Sequence, residues 1–232
     1  MCCVIMLGLG HLLPGPEWCA GRAAFPVLME NADALIDRDI IAARVAGFPR
    51  VAVDRPELKQ AAVAVCVTVL GGLPCLLITR RAARLRAHAG QWALPGGRRE
   101  AGETAVDGAL RELAEEVGLE LGPGAVLGLL DDYVTRSGYV MTPVVCWAGP
   151  VGRLTGSAAE VASVYQVPLA DFDVEPRLIT IPESSAPVIQ LPLLGGYLHA
   201  PTAAIVHQFC RIGCRGEVHR VAHYEQPVFA WR

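Results

Sequence analysis

Residues 61–79 run for nineteen positions without a charged side chain, close to the length a helix needs to cross a bilayer. The run is interrupted near its middle by Gly71-Gly72-Leu73-Pro74, and both halves are rich in Val, Leu, Ile and Thr. Gly and Pro at a midpoint mark a turn, and inside a membrane no water would satisfy the backbone groups they free. The run therefore predicts a buried β-hairpin. Two further apolar stretches, residues 139–149 and 186–206, are also broken by Pro or Gly, so no membrane association is expected.

Composition fits that reading. The 232-residue chain is 53% hydrophobic and only 19% charged, against about 25% charged in ordinary globular domains. So much apolar content excludes disorder over most of the chain. Twenty basic and 23 acidic residues leave a net charge of −3, which offers no electrostatic footprint for nucleic acid. Of the eight cysteines, Cys66, Cys75 and Cys146 sit in strand-like apolar runs, where Cys behaves as a small hydrophobe. Cys210 and Cys214 lie near His207 and His219 but lack the Cys-x-x-Cys pairing usual in zinc sites. A reduced, cytoplasmic protein is the expectation.

The length fits one large domain with extensions. Residues 1–28 begin apolar, without the basic start of a signal peptide, and carry Pro14 and Pro16. They read as disordered or as a mis-assigned start, with Met29 opening a more ordinary beginning. Residues 29–59 form an N-terminal extension with an amphipathic helix at 37–45, and 60–232 hold the main domain. Within it a helix is predicted at 202–211 and a strand at 218–224. Strands, one central helix, more strands and a terminal helix predict an α/β or α+β sandwich.

The central helix carries the chemistry. Helical periodicity starts at Glu103-Thr104, just after Gly102, and Gly118 stands where a left-handed C-cap is favoured, so the segment reads loop, helix, loop. Ala105, Ala109, Leu113 and Val117 recur at four-residue spacing and can face a sheet. Beside this stripe Glu112, Glu115 and Glu116 crowd one side of the helix. On its own such a triplet reads as a solvated face. Alternatively, a divalent cation offsets the repulsion that Arg111 can relieve only in part, and hard oxygen donors suit Mg²⁺ or Mn²⁺.

The triplet stands within Gly97-x5-Glu103-x7-Arg111-Glu112-Leu113-x-Glu115-Glu116-x-Gly118-Leu119, which matches the Nudix box at every specified position. Over residues 60–175 the chain resembles the Nudix hydrolases, which cleave nucleoside diphosphates linked to another moiety. The resemblance implies a Nudix-type α/β/α sandwich with a mixed sheet and a loop-helix-loop catalytic motif. It implies that Glu112 and Glu116 hold Mg²⁺ or Mn²⁺, with Glu115 sharing a second ion or acting as base and the Gly97 carbonyl as a further ligand. Glu103 and Arg111 would pair structurally. Glu160 lies in a loop where some members place an extra ligand or base, and it reads equally well as a plain strand-start carboxylate.

Upstream, Arg80, Arg81, Arg84 and Arg86 concentrate positive charge that could receive phosphates. The spacing Thr79-x-Arg81-Ala82-x3-Arg86-x3-Gly90-x3-Leu94-Pro95-Gly96-Gly97 is similar to the accessory signature of the coenzyme A pyrophosphatase branch, which has Phe in place of Leu94. That similarity implies coenzyme A or its thioesters as substrate, bound by Arg81, Arg86 and Gly90 and released as 3′,5′-ADP and 4′-phosphopantetheine. Alternatives are ADP-ribose, dinucleoside polyphosphates, nucleotide sugars, or a nucleotide-sensing module without catalysis. The expected partner is a small-molecule nucleotide, neither nucleic acid nor membrane, and a homodimer stays open.

Overall fold

A two-residue turn at Gly71-Gly72 closes the first hairpin. In this computed structural model, which describes residues 36–83 and 90–231, β1 (Lys59–Leu70) and β2 (Leu73–Arg81) pair antiparallel with Leu70 opposite Leu73. Both turn glycines have positive φ, +59° and +82°, as required by a turn that follows the strands' twist. The reading of residues 1–28 and the positions of Arg84 and Arg86 lie outside the described residues.

Next come β3 (Trp92–Ala93), β4 (Gly96–Arg98), helix α2 (Ala105–Val117), β5 (Val126–Leu129), β6 (Tyr133–Val134), β7 (Tyr139–Pro150) and β8 (Val161–Pro168). Helix α1 (Arg38–Ala46) precedes them all. Strand β7 returns parallel to β1, and the other pairings are antiparallel, so the eight-stranded sheet is mixed. Its central order is β3-β2-β1-β7-β5, with β4, β6 and β8 attached to β1, β7 and β2. Residues 61–68 are all buried, since helices cover both sheet faces and the strand loses polar alternation.

On one face, Ala109, Leu113 and Val117 of α2 pack against Ala62, Ala64, Cys66, Leu77, Val144 and Cys146. On the other, Val63, Val65, Val67, Leu76 and Ile78 join Ile41 and Val45 of α1 and the apolar side chains of α3 (Thr202–Phe209). Each fully buried Val or Leu contributes about 1.5–3 kcal/mol, so the sandwich is held chiefly by apolar burial. The extension read over residues 29–59 is, from Ile36 onward, part of the same compact unit. Asp37 caps α1 by accepting the Ile40 amide at 2.9 Å.

Two features differ from the sequence expectation. A second sheet, β9 (Arg177–Ile181), β10 (Ser184–Leu193) and β11 (Gly196–His199), occupies a segment marked only by its prolines. The strand predicted at 218–224 is absent: that segment has only an isolated bridge beyond its end, between Val188 and Glu225. Its backbone and side chains serve other groups. The His219 carbonyl accepts from Gln208 at 2.9 Å, and Arg220 reaches Asp131 at 2.5 Å.

Candidate active site

The loop before α2 is pressed into the main sheet. The Ala64 amide donates to the Pro95 carbonyl at 2.8 Å, and the Arg99 amide donates to Gln60 at 3.0 Å. A Cβ at Gly96 would fall 2.7 Å from the Val63 Cα, and one at Gly97 would fall 2.7 Å from the Glu112 carboxyl carbon. At Gly96, where the neighbours are backbone, only glycine permits the approach; a side chain at Gly97 would displace the Glu112 carboxylate. Thr104 and Asp107 form a reciprocal cap at the start of α2, each side chain accepting the other's amide at 3.1 Å. Gly118 ends the helix at φ +68°.

Arg111 organises the acidic face. Its Nε lies 2.7 Å from Glu103, its Nη1 lies 2.9 Å from both Glu112 and Glu115, and its Nη2 donates to the Arg98 carbonyl at 3.2 Å. The Arg111 hydrogen bond holds the Glu103 carboxyl below the usual range, and the Glu100 amide adds to this at 2.7 Å. Glu116 stands apart from this guanidinium. It is buried, accepts the Gly96 amide at 3.3 Å, and has Arg81 Nη1 at 3.9 Å.

Burial raises the Glu112 carboxyl even though Arg111 is in contact, and pushes Glu116 up to about 7. The negative charge of Glu160 adds to both shifts. Two desolvated carboxylates beside a side-chain-free glycine, their charge only partly offset by Arg111, Arg81 and the Gly96 amide, present hard oxygen donors that fit a divalent cation. Among the described residues, however, no three His, Cys, Asp or Glu side chains are already gathered around one point. Glu115 is exposed and held by Arg111, so a third carboxylate would have to leave that partner.

The end of β2 connects this acidic face to the substrate side. The Arg81 amide donates to the Gln91 carbonyl at 2.9 Å, and the Gly90 amide donates to the Arg81 carbonyl at 3.2 Å. The buried Nε of Arg81 has no hydrogen-bond partner among the described residues. Glu160 is exposed just before β8, and its carbonyl accepts the Ala82 amide at 2.8 Å. Glu112, Glu116, Arg81, Gly90 and Glu160 are thus drawn around one strand end, while Arg86 lies outside the described residues.

Sequence reasoning did not foresee a small cleft behind Gly90. Gln91 and Trp92 form one wall, and Tyr197, His199, Thr202 and Phe229 form the other. A signal for its outer wall existed in Leu194-Gly195, whose positive φ values of 46° and 79° form the tight turn between β10 and β11.

The NUDIX domain family matches residues 58–186. The uncharacterized Nudix hydrolase NudL of Citrobacter koseri is 38% identical over 144 residues, spanning 62% of this chain and 74% of that protein. The protein of the same name from Photorhabdus laumondii is 42% identical over 99 residues, spanning 42% of this chain and 53% of the relative. Among solved structures, a MutT protein from Methanosarcina mazei Go1 aligns with TM-score 0.41 and 25% identity, covering 51% of this chain and 83% of that one.

Proposed function

The chain belongs to the NUDIX domain family of pyrophosphate hydrolases, and from that premise we propose that it acts on coenzyme A or its thioesters. The observation that supports this reading is the Arg81–Glu116 approach at 3.9 Å. It joins the acidic helix to the segment that resembles the coenzyme A pyrophosphatase signature. The products would be 3′,5′-ADP and 4′-phosphopantetheine.

In this reading Glu112, Glu116 and the Gly97 carbonyl hold the metal, with Glu115 available for a second ion. Mg²⁺ or Mn²⁺, when bound there, would supply neutralisation of the pyrophosphate and acidification of a water. Glu115 or Glu160 takes the proton from the water that attacks the pyrophosphate. Arg81, Arg86 and the Gly90 turn receive the substrate, and a guanidinium fork suits the 3′-phosphate. Glu103 does not touch substrate: its grip on Arg111 keeps the loop against α2, so it is a positioning residue. The substrate is a small nucleotide derivative, and no described helix is long and apolar enough to cross a membrane.

Hydrolysis assays with Mg²⁺ or Mn²⁺, with products identified by mass spectrometry, test the reading. Coenzyme A is expected to yield 3′,5′-ADP, dephospho-coenzyme A to turn over less efficiently, and Glu116→Gln to abolish both. Turnover of ADP-ribose, a dinucleoside polyphosphate or a nucleotide sugar in place of coenzyme A would move the substrate. Tight nucleotide binding without any product would make the protein a sensor. Loss of about 10²–10⁴-fold in kcat on Glu115→Gln or on Glu160→Gln identifies the base.

A further inference from the structure

The cleft between β3 and the second sheet is small. Its volume is about 180 Å³, and among the described residues that line it there is no Asp, Glu, Lys or Arg. Pockets for whole ligands span roughly 300–1,000 Å³, so this one suits a single ring system. Burial lowers the His199 imidazole, which keeps that wall neutral near pH 7. The described walls favour a ring over a phosphate.

The lining is nevertheless aromatic. Trp92, Tyr197, His199 and Phe229 all contribute, with His199 and Phe229 meeting edge to face at 5.3 Å. Trp92 is fixed by Tyr165 at 5.0 Å and by Arg80 at 5.4 Å. Arg177 lies 5.0 Å from the Tyr197 ring centre. Tyr197 is 40% exposed and Phe229 50% exposed, so both rings are reachable from solvent. The Gln91 amide and the Thr202 hydroxyl add groups that can hydrogen-bond a polar ring edge.

Position supplies the last step. The wall residues Gly90 and Gln91 are hydrogen-bonded through their backbones to Arg81, whose side chain approaches Glu116. Arg81 is therefore tied to two cleft residues through its backbone and approaches a carboxylate through its side chain. We propose that this cleft seats the heterocyclic base of the nucleotide substrate, stacked on its aromatic walls while the pyrophosphate lies toward Glu116. The proposal rests on the nucleotide-hydrolase reading above and adds a base-recognition site built partly by the second sheet.

Binding measured by calorimetry on the full chain, with chelator and without turnover, separates this inference from the hydrolase reading. Adenosine 5′-monophosphate is expected to bind at least 10-fold more tightly than ribose 5-phosphate, as stacking of a base provides. Phe229→Ala and Tyr197→Ala should each reduce that preference by about 10-fold. Both side chains are well exposed, so neither truncation empties the core. Leu178→Ala, on the exposed side of β9, should leave the preference unchanged. Equal affinity for the two probes, or a preference that survives both aromatic truncations, overturns the proposal. So does displacement of adenosine 5′-monophosphate by pantetheine, which would assign the cleft to the other arm of coenzyme A. If no pyrophosphate is cleaved but these shifts appear, the hydrolase reading fails and the base site stands.

Discussion

Glu116 is buried at 3% exposure beside Glu112, and its charge is offset by the Gly96 amide and by a more distant Arg81. Its carboxyl is pushed up from 4.5 to about 7, chiefly by burial. With the folded value above the unfolded one, the folded state holds more protons between those two pH values. The metal-free protein therefore loses stability as pH rises from about 4.5 to about 7, by about 3 kcal/mol from this residue. A bound divalent cation offsets the same repulsion, so its gain in Tm should be larger at pH 8 than at pH 5. Thermal unfolding of wild type and Glu116→Gln, with chelator and with excess Mn²⁺, reads both effects. If the wild type gains on the variant as pH rises in chelator, the assignment is wrong. The spacing of the glutamates was legible in the sequence. The division of labour was not, because which carboxylate Arg111 reaches depends on side-chain geometry that periodicity does not contain.

At the scale of elements, α2 works as a platform whose height above the sheet is set by small residues. Ala109 is fully buried against Ala62 and Ala64, letting the helix approach until Glu112 touches the Gly97 backbone. Ala109→Leu should overpack this contact, costing about 1–3 kcal/mol, and lift the carboxylates from the loop. It is expected to lower Tm and weaken Mn²⁺ binding together. Thr104→Ala removes a cap at the far end for about 1 kcal/mol, lowering Tm with little change in Mn²⁺ affinity. Calorimetric titration of both variants checks the contrast, and equal Mn²⁺ affinities would refute the platform role. The hairpin and α2 could be read in advance because their signals are local: Gly71-Gly72, a four-residue apolar stripe and Gly118. The three strands after residue 176 were missed in a segment marked by Pro187 and Pro192, yet Pro187 falls in the register irregularity between Ser184 and Val188 and Pro192 lies past the last residue paired with β9, places where Pro is tolerated. Conversely, Val218 and Val221 made residues 218–224 look like a strand, but Val218 is 67% exposed, leaving the segment no apolar face to bury along its length.

Across the described residues, two adjacent buried carboxylates between β5 and β6 tie the segments that follow α1 and α3 to the sheet. Asp131 accepts the Val51 amide at 2.7 Å, the Gln208 amide group at 2.9 Å and Arg220 at 2.5 Å. Asp132 accepts Arg50 and Thr142 at 2.7 Å each and the Val53 amide at 2.8 Å. The segment after α1 and the segment after α3 thus depend on the same short stretch, through Arg50 of the first and Arg220 of the second. Removing one carboxylate strands several buried donors, and breaking such a buried pair costs about 3–5 kcal/mol. Since 1 kcal/mol moves Tm by about 2–4 °C in a protein of this size, Asp131→Ala should lower Tm by roughly 6–20 °C. Asp131→Asn keeps one acceptor oxygen and should lose less. The loosening should concentrate at residues 48–53 and 215–224, read as faster amide exchange there than in β1. Uniform exchange across the chain, or a Tm unchanged in Asp131→Ala, would mean that apolar packing of α1 and α3 alone holds these ends in place.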